Sequence, residues 1–246
     1  MTSLKRYGST ALVTGASSGI GTSYARAMAK DGLDLVLVAR RKELLDKLAE
    51  ELRQTHGVKV LTIAQDLSEA DAADRVYDAV QEAGLEIDIL VNNAGYGTHG
   101  VFDKLDLERE LAMINLSCRL PVALTHKFLG GMKQRNRGAV IFLSSMAGQM
   151  PVPFMSTYCA TKAFPLYFAE SLYGELADTG IDVLAVLPGD TSTEFRETSD
   201  LTMKAPIPPR TADDVAATTF KAPVSYTHLT LPTTLNSCRS RWAADH

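Results

Sequence analysis

Short apolar runs alternate along the chain with longer stretches whose apolar residues fall every three or four positions. Residues 11–13 read as a strand, 19–30 as a helix with small residues near its start, and 33–39 (LDLVLVA) as a second strand. In 42–55 the apolar residues stand at 44, 45, 48, 49 and 52, the spacing of one helix face. A third strand follows at 58–64. Asp66-Leu67-Ser68 then leads into a helix over about 69–83, with Ser68 as its expected N-cap. Strands at 87–91 and 139–143 enclose further helix, 157–178 reads as a long helix, and 182–187 as a sixth strand. Apolar strands that alternate with helices predict a parallel sheet covered on both faces. Right-handed crossovers make this an α/β fold with a doubly wound parallel sheet, Rossmann-type, in a single domain. The stretch from about 190 to 210, with the Pro-rich KAPIPPR (204–210), has no period and follows a strand end, where ligands bind in this architecture.

Composition narrows the function. The chain has 246 residues, 46% hydrophobic and 22% charged, enough for one large domain. A net charge of −4 gives no electrostatic footprint for nucleic acid. No apolar run approaches the ~18 residues of a membrane span, and the basic N-terminus runs straight into the first strand without a signal-peptide pattern. A cytoplasmic location is expected. Cys118, Cys159 and Cys238 form no CxxC and no Cys/His cluster, so neither a metal site nor a disulfide framework is expected. Asn115-Leu116-Ser117 matches a glycosylation acceptor by chance in a chain without a secretion signal.

The chemistry starts at TGASSGIG (14–21), directly after the first apolar run. Gly15 allows the tight turn, Gly19 lets backbone approach a phosphate, and Gly21 lets the helix pack close to the strand. The following helix N-terminus offers N–H donors and the positive end of its dipole to a pyrophosphate. The spacing is GxxxGxG rather than GxGxxG. The second strand ends in Ala39-Arg40-Arg41, where an acid would bind a ribose 2′-hydroxyl. Guanidinium groups there suit a 2′-phosphate, so NADP(H) is the expected cofactor.

YCATK (158–162) sets a phenol and an ammonium four residues apart, on one face of a helix. With these residues, Asp66, NNAG (92–95), Asn115, the serine before YCATK and PG (188–189), the chain resembles the short-chain dehydrogenase/reductase family from about residue 7 to 222. The resemblance implies a catalytic tetrad of Asn115, Ser145, Tyr158 and Lys162; of the adjacent Ser144 and Ser145, family spacing selects the second. It implies that Tyr158 exchanges a proton with the substrate oxygen and Ser145 hydrogen-bonds that oxygen. Lys162 holds the nicotinamide ribose and lowers the phenol by ~3 units. Asn115 anchors a water relaying protons to Lys162. It places Gly15, Ser17, Ser18, Gly19, Ile20, Gly21 and Arg40 on the cofactor, with Asp66 and Leu67 at the adenine. Asn92, Ala94 and Gly95 line it further along. Tyr158, Lys162, Pro188, Gly189, Thr191 and Thr193 meet its nicotinamide end.

The implied activity is NADP(H)-dependent interconversion of a ketone and a secondary alcohol, with no metal. Met146, Met150, Val152, Pro153, Phe154 and Met155, between serine and tyrosine, suggest a lipophilic small-molecule substrate. The alternative is a non-catalytic dinucleotide-binding sensor or scaffold of the same fold, which an intact tetrad argues against. A homodimer or homotetramer is the family expectation for an intact C-terminus. Two departures stand out. Asp190 replaces the usual hydrophobic residue after the PG pair, and Pro165 lies inside the catalytic helix, where it removes one hydrogen bond and is expected to bend it.

The C-terminal segment breaks the pattern. Helical periodicity over 212–221 stops at Ala222-Pro223, and VSYTHLTLPT (224–233) reads as one frame of a sequencing-library adapter. The expectation is therefore an oxidoreductase domain over 1–223, lacking its last strand, followed by a non-native tail at 224–246. Cys238, Trp242 and His246 then carry no function.

Overall fold

The computed structural model describes residues 4–195, 199 and 209–221, and the backbone of 228–230. Six strands follow the expected alternation: β1 (Thr10–Thr14), β2 (Asp34–Ala39), β3 (Val60–Ala64), β4 (Ile89–Asn92), β5 (Gly138–Leu143) and β6 (Ile181–Leu187). The helices between them are α1 (Gly19–Lys30), α2 (Lys42–His56), α3 (Ala72–Glu82), α4 (Leu107–Ile114), α5 (Leu120–Arg135) and α6 (Ser156–Glu175). After β6 come the short parallel pair β7 (Thr191–Ser192) and β8 (Arg210–Thr211), then α7 (Ala212–Thr219) and β9 (His228–Thr230). Spatial order in the main sheet is β3-β2-β1-β4-β5-β6-β9, all parallel. The chain runs outward from β1 to one edge, returns, and continues from β4 to the other. This reversal opens a crevice at the carboxyl ends of β1 and β4.

Alternation along each strand feeds two separate cores. Val13, Leu35, Leu37, Val91 and Ile141 face Tyr24 and Met28 of α1, Leu45 and Leu48 of α2, and Val215 of α7. Leu12, Val36, Leu90, Val140 and Phe142 face Val76 of α3, Leu124 and Phe128 of α5, and Leu166 and Leu172 of α6. With both faces covered, a polar side chain beside the central strands is costly without a partner. Asp88, just before β4, accepts from the Ser9 and Thr10 amides at 2.7 and 3.3 Å through one carboxylate oxygen, and the other lies 3.2 Å from Arg135. Among the described residues no helix is long and apolar enough to cross a membrane.

Two expectations change. The helix after β3 begins at Ala72 rather than 69, and Ser68 does not cap it. The Asp66 carboxylate instead accepts from the Ser68 amide at 3.0 Å and hydroxyl at 2.7 Å, a local turn that holds the chain out of helix. Pro165 lies buried within α6, which runs on to Glu175. It removes the backbone donor that would reach the Thr161 carbonyl four residues back, and the neighbouring Lys162 carbonyl accepts from the Ser144 hydroxyl at 2.5 Å. The edge of β6 is not left without a neighbour. His228–Thr230 pairs in parallel with Ala185, Val186 and Leu187, because the C-terminal half of that strand offers a free backbone ladder. Residues 224–227 and 231–246, with Cys238, Trp242 and His246, and most of the Pro-rich 204–210 stretch lie outside the described residues.

Candidate active site

A cleft of about 1110 Å³ occupies the crevice. Its floor is the turn after β1. Gly15 and Gly19 adopt φ of +67° and +55°, open to glycine without strain. A Cβ on Gly21 would overlap the Gly15 carbonyl, so the third glycine sets how closely α1 meets the strand. Ser17, Ser18, Gly19 and Ile20 line the cleft at the N-terminus of α1, whose Ser18 N-cap leaves the helix amides uncapped by its side chain. Free amides and the helix dipole make this end an anion site.

Arg40, Asp66 and Leu67 line the neighbouring wall. Arg40 lies 3.8 Å from Asp66. Burial raises the Asp66 carboxyl, but the hydrogen bonds from Ser68 and the charge of Arg40 outweigh it and hold it low. Arg41 crosses the cleft mouth, 2.9 Å from Glu194, and donates weakly to Ser17. Ala94, Gly95, Pro188, Gly189, Thr191 and Thr193 line the cleft as expected, with the Thr193 side chain packed on Gly19. Asp190 also lines it, and its carbonyl accepts from the Arg210 amide at 3.0 Å.

Asn92 does not reach the cleft. It is buried at the end of β4, and its amide donates to Thr125 Oγ1 at 3.3 Å. The next residue does the bracing: Asn93 lines the cleft and donates to the Thr14 and Gly15 carbonyls at 2.8 and 3.3 Å. Asn115 is not a lining residue either. It opens a π turn (Asn115–Arg119) between α4 and α5, a break of helix register often found at functional sites.

Ser145, Tyr158 and Lys162 come together at the inner end. Ser144 and Ser145 part ways: the first points back to the Lys162 carbonyl, and the second hydrogen-bonds the Tyr158 hydroxyl and accepts from the Ala147 amide. Lys162 donates to the Leu143 carbonyl at 2.9 Å. Burial lowers its ammonium to about 8. Burial also pushes the Tyr158 phenol up to about 12, against the hydrogen bond from Ser145. The expected lowering of this phenol by ~3 units is therefore absent in the protein alone. Desolvation penalises phenolate and ammonium alike, raising the one group and lowering the other.

Beside this trio the wall turns apolar. Tyr96, Met146, Ala147, Val152, Met155 and Phe195 line it, whereas Met150 and Phe154 are exposed. Tyr96 follows NNAG directly and was open to a reading of that motif as a cleft turn. Phe195 sits in a segment without period, and nothing in its neighbours marks it.

A doubly wound sheet with a glycine-rich turn at its switch point and a Ser/Tyr/Lys trio at the strand ends defines a dinucleotide-binding enzyme fold. The sequence profile of the short chain dehydrogenases matches residues 9–204, and the chain belongs to that family. It is 37% identical over 205 residues to the human very-long-chain 3-oxoacyl-CoA reductase, covering 82% of this chain and 65% of that protein. It is 35% identical over 189 residues to a 7beta-hydroxysteroid dehydrogenase of Clostridium sardiniense, covering 77% and 72%. Among solved structures it is similar to a short-chain dehydrogenase from Sphingobium yanoikuyae in complex with NADPH. The identity is 37% and the TM-score 0.81, with 86% of this chain and 83% of that one covered. The match thus spans about two thirds of the reductase's length.

Proposed function

We propose that this chain is an NADP(H)-dependent oxidoreductase that interconverts a lipophilic ketone and its secondary alcohol. The observation that carries the reading is the meeting, in one cleft, of an anion-binding helix N-terminus, the Ser145–Tyr158–Lys162 trio and an apolar wall. The relatives support it: one is named for an oxoacyl and one for a steroid substrate, and a similar structure holds NADPH.

The donor set fits the cofactor. Gly15, Gly19 and the first amides of α1 would hold its pyrophosphate. Arg40 and Arg41 would pair with the 2′-phosphate, and Asp66 and Leu67 would lie against the adenine. When bound, NADP(H) supplies or accepts the hydride. The protein does the rest. Ser145 holds the carbonyl oxygen, and Tyr158 donates a proton to that oxygen as negative charge develops on it. A phenol held near 12 is fully protonated at neutral pH, which suits it to donate. Lys162, mostly charged at pH 7, stabilises the phenolate that remains. The apolar wall at Tyr96, Val152, Met155 and Phe195 shields the reacting centre from water and favours lipophilic substrates.

The catalytic unit is placed within 1–223, a reading supported by the described lining residues, which fall between Gly15 and Phe195. The segment 224–246 is proposed to be foreign to it, although its three-residue strand completes the sheet edge. Loss of NADPH absorbance with a panel of long-chain, steroidal and sugar ketones tests the function. Turnover confined to the lipophilic members is the expected result; nucleotide binding without turnover of any ketone would favour the sensor reading.

A further inference from the structure

Val152-Pro153-Phe154-Met155, just before α6, form a tight turn in which the Met155 amide donates to the Val152 carbonyl at 3.1 Å. Proline suits the second position of such a turn, and the third takes φ of +68° at Phe154. That place suits glycine, because a Cβ crowds the backbone there. Among the described residues the other non-glycine with positive φ is Asn136, which caps α5, where asparagine is at ease. A bulky ring in the left-handed region is strained, and strain of this kind clusters at functional positions. The ring gains little from the fold in return: it is 55% exposed and meets His99, centroids 6.1 Å apart and planes tilted by 56°. The turn sits on the edge of the cleft. Val152 and Met155, on either side of Pro153-Phe154, line it, whereas Phe154 lies outside the lining. The Phe154 carbonyl accepts from the Gly100 amide at 2.8 Å, which ties the turn to the loop after NNAG, whose Tyr96 also lines the cleft. Apolar side chains thus continue outward from the wall on two loops held together by a backbone hydrogen bond.

We propose that Phe154 is a specificity-determining residue: its ring, with His99 beside it, is a platform for the part of a long apolar ketone that extends past the cleft. The inference rests on the lipophilic-ketone reading of the same cleft, and it narrows the substrate to one whose apolar part outreaches the cleft. Continuity identifies the occupant. One four-residue turn sets Val152 and Met155 against the inner part of the substrate and Phe154 where the same molecule emerges. A ring there covers apolar substrate surface that water would otherwise wet. It therefore lowers KM for long substrates and leaves the reacting atoms alone. Glycine at 154 would relax the turn and lose the platform, and the ring is what the strain keeps in place.

The test measures kcat/KM with NADPH for straight-chain ketones of increasing length, in the parent, Phe154→Gly and Phe154→Leu. In the parent kcat/KM is expected to rise with length and then to level off once the chain covers the ring. In Phe154→Gly the ratio of kcat/KM for the longest ketone to that for the shortest should fall roughly tenfold, through KM, as for loss of one partly buried aromatic contact. Phe154→Leu, which keeps an apolar side chain, should restore most of the ratio. The melting temperature of Phe154→Gly should not fall below the parent's, because relief of strain offsets the freedom that glycine adds to the unfolded chain. The proposal is overturned if the Phe154→Gly ratio stays within about twofold of the parent's. It is equally overturned if Phe154→Gly melts well below the parent and loses activity on all lengths alike, which marks a packing role. Dissociation of a parental oligomer by Phe154→Gly, seen in sedimentation velocity, also overturns it and assigns the ring to a second copy of the chain. Tyr158→Phe separates the two claims. If it is inactive while the length preference survives Phe154→Gly, only the platform falls; if it is as active as the parent, the oxidoreductase reading falls and the platform with it.

Discussion

The ring of Phe195 packs against the ring of Tyr158, centroids 5.4 Å apart and planes tilted by 49°. The contact ties the segment after β6 to the proposed proton donor. It also makes one aromatic face part of the apolar wall. Aromatic pairs of this kind contribute about 0.5–1.5 kcal/mol beyond their buried area. Phe195→Ala is therefore expected to lower kcat/KM for lipophilic ketones by roughly 2–10-fold. Most of the loss should lie in KM, with NADPH affinity kept. Steady-state kinetics on two ketones of different bulk checks this, and an unchanged KM for both would contradict it.

Lys162 links stability to pH. Its ammonium is ordinary in the unfolded chain, at 10.5, and lowered to about 8 by burial in the fold. Between those values the unfolded state holds the extra proton, so stability rises as pH goes from about 8 towards 10.5. Below about 8 the fold carries the full cost of a buried charge, on the order of 3 kcal/mol. Lys162→Met should thus raise the melting temperature at pH 7 while abolishing turnover, and the advantage should shrink above pH 8. Melting curves across pH 6–10 read this directly. A variant less stable than the parent at pH 7 would contradict it.

Arg40 and Arg41 each meet a carboxylate, Asp66 and Glu194. A 2′-phosphate must compete with those partners. Arg40→Ala and Arg41→Ala should each weaken NADPH by about 1.5–3 kcal/mol and leave NADH nearly unchanged. Glu194→Gln should tighten NADPH, because it frees Arg41. Calorimetric titration with both nucleotides is the check; equal affinities in the parent would remove the basis for the preference.

Asp88 carries a structural rather than a catalytic load. It joins the start of β1 to Arg135 at the end of α5. Asp88→Ala leaves two strand-end amides without their acceptor and removes one of the two carboxylates beside Arg135, which keeps the Ile87 carbonyl and Glu86. The expected loss is about 3–5 kcal/mol in chemical denaturation. A loss below 1 kcal/mol would show that water satisfies these groups.

Most of the fold was legible because apolar runs alternate with helix-spaced stretches. Short apolar runs and helical spacing located β1–β6 and α1, α2 and α6 to within a few residues. What failed depended on local competition. Ser68 carries the residue type of an N-cap, but the Asp66 carboxylate takes its amide and hydroxyl. Asn92 and Asn93 look alike as neighbours in NNAG. The same alternation that turns Leu90 towards α5 turns Asn92 there too, and gives the cleft to Asn93. The depth of burial around Tyr158 and Lys162, which sets the direction of both proton equilibria, comes from distant segments and has no trace in YCATK. The pairing of His228–Thr230 with β6 likewise needed a free strand edge, which local sequence does not display.

The central claim is that Tyr158 is the proton donor in a hydride-transfer site. It is tested most directly by mixing the Tyr158→Phe variant, loaded with NADPH, with a lipophilic ketone that the parent reduces, and following nucleotide oxidation in a single turnover. The substitution removes only a hydroxyl, so nucleotide affinity should stay parental while the rate falls by about 10²–10⁴-fold. A rate within a few-fold of the parent would show that another group supplies the proton and would contradict the account.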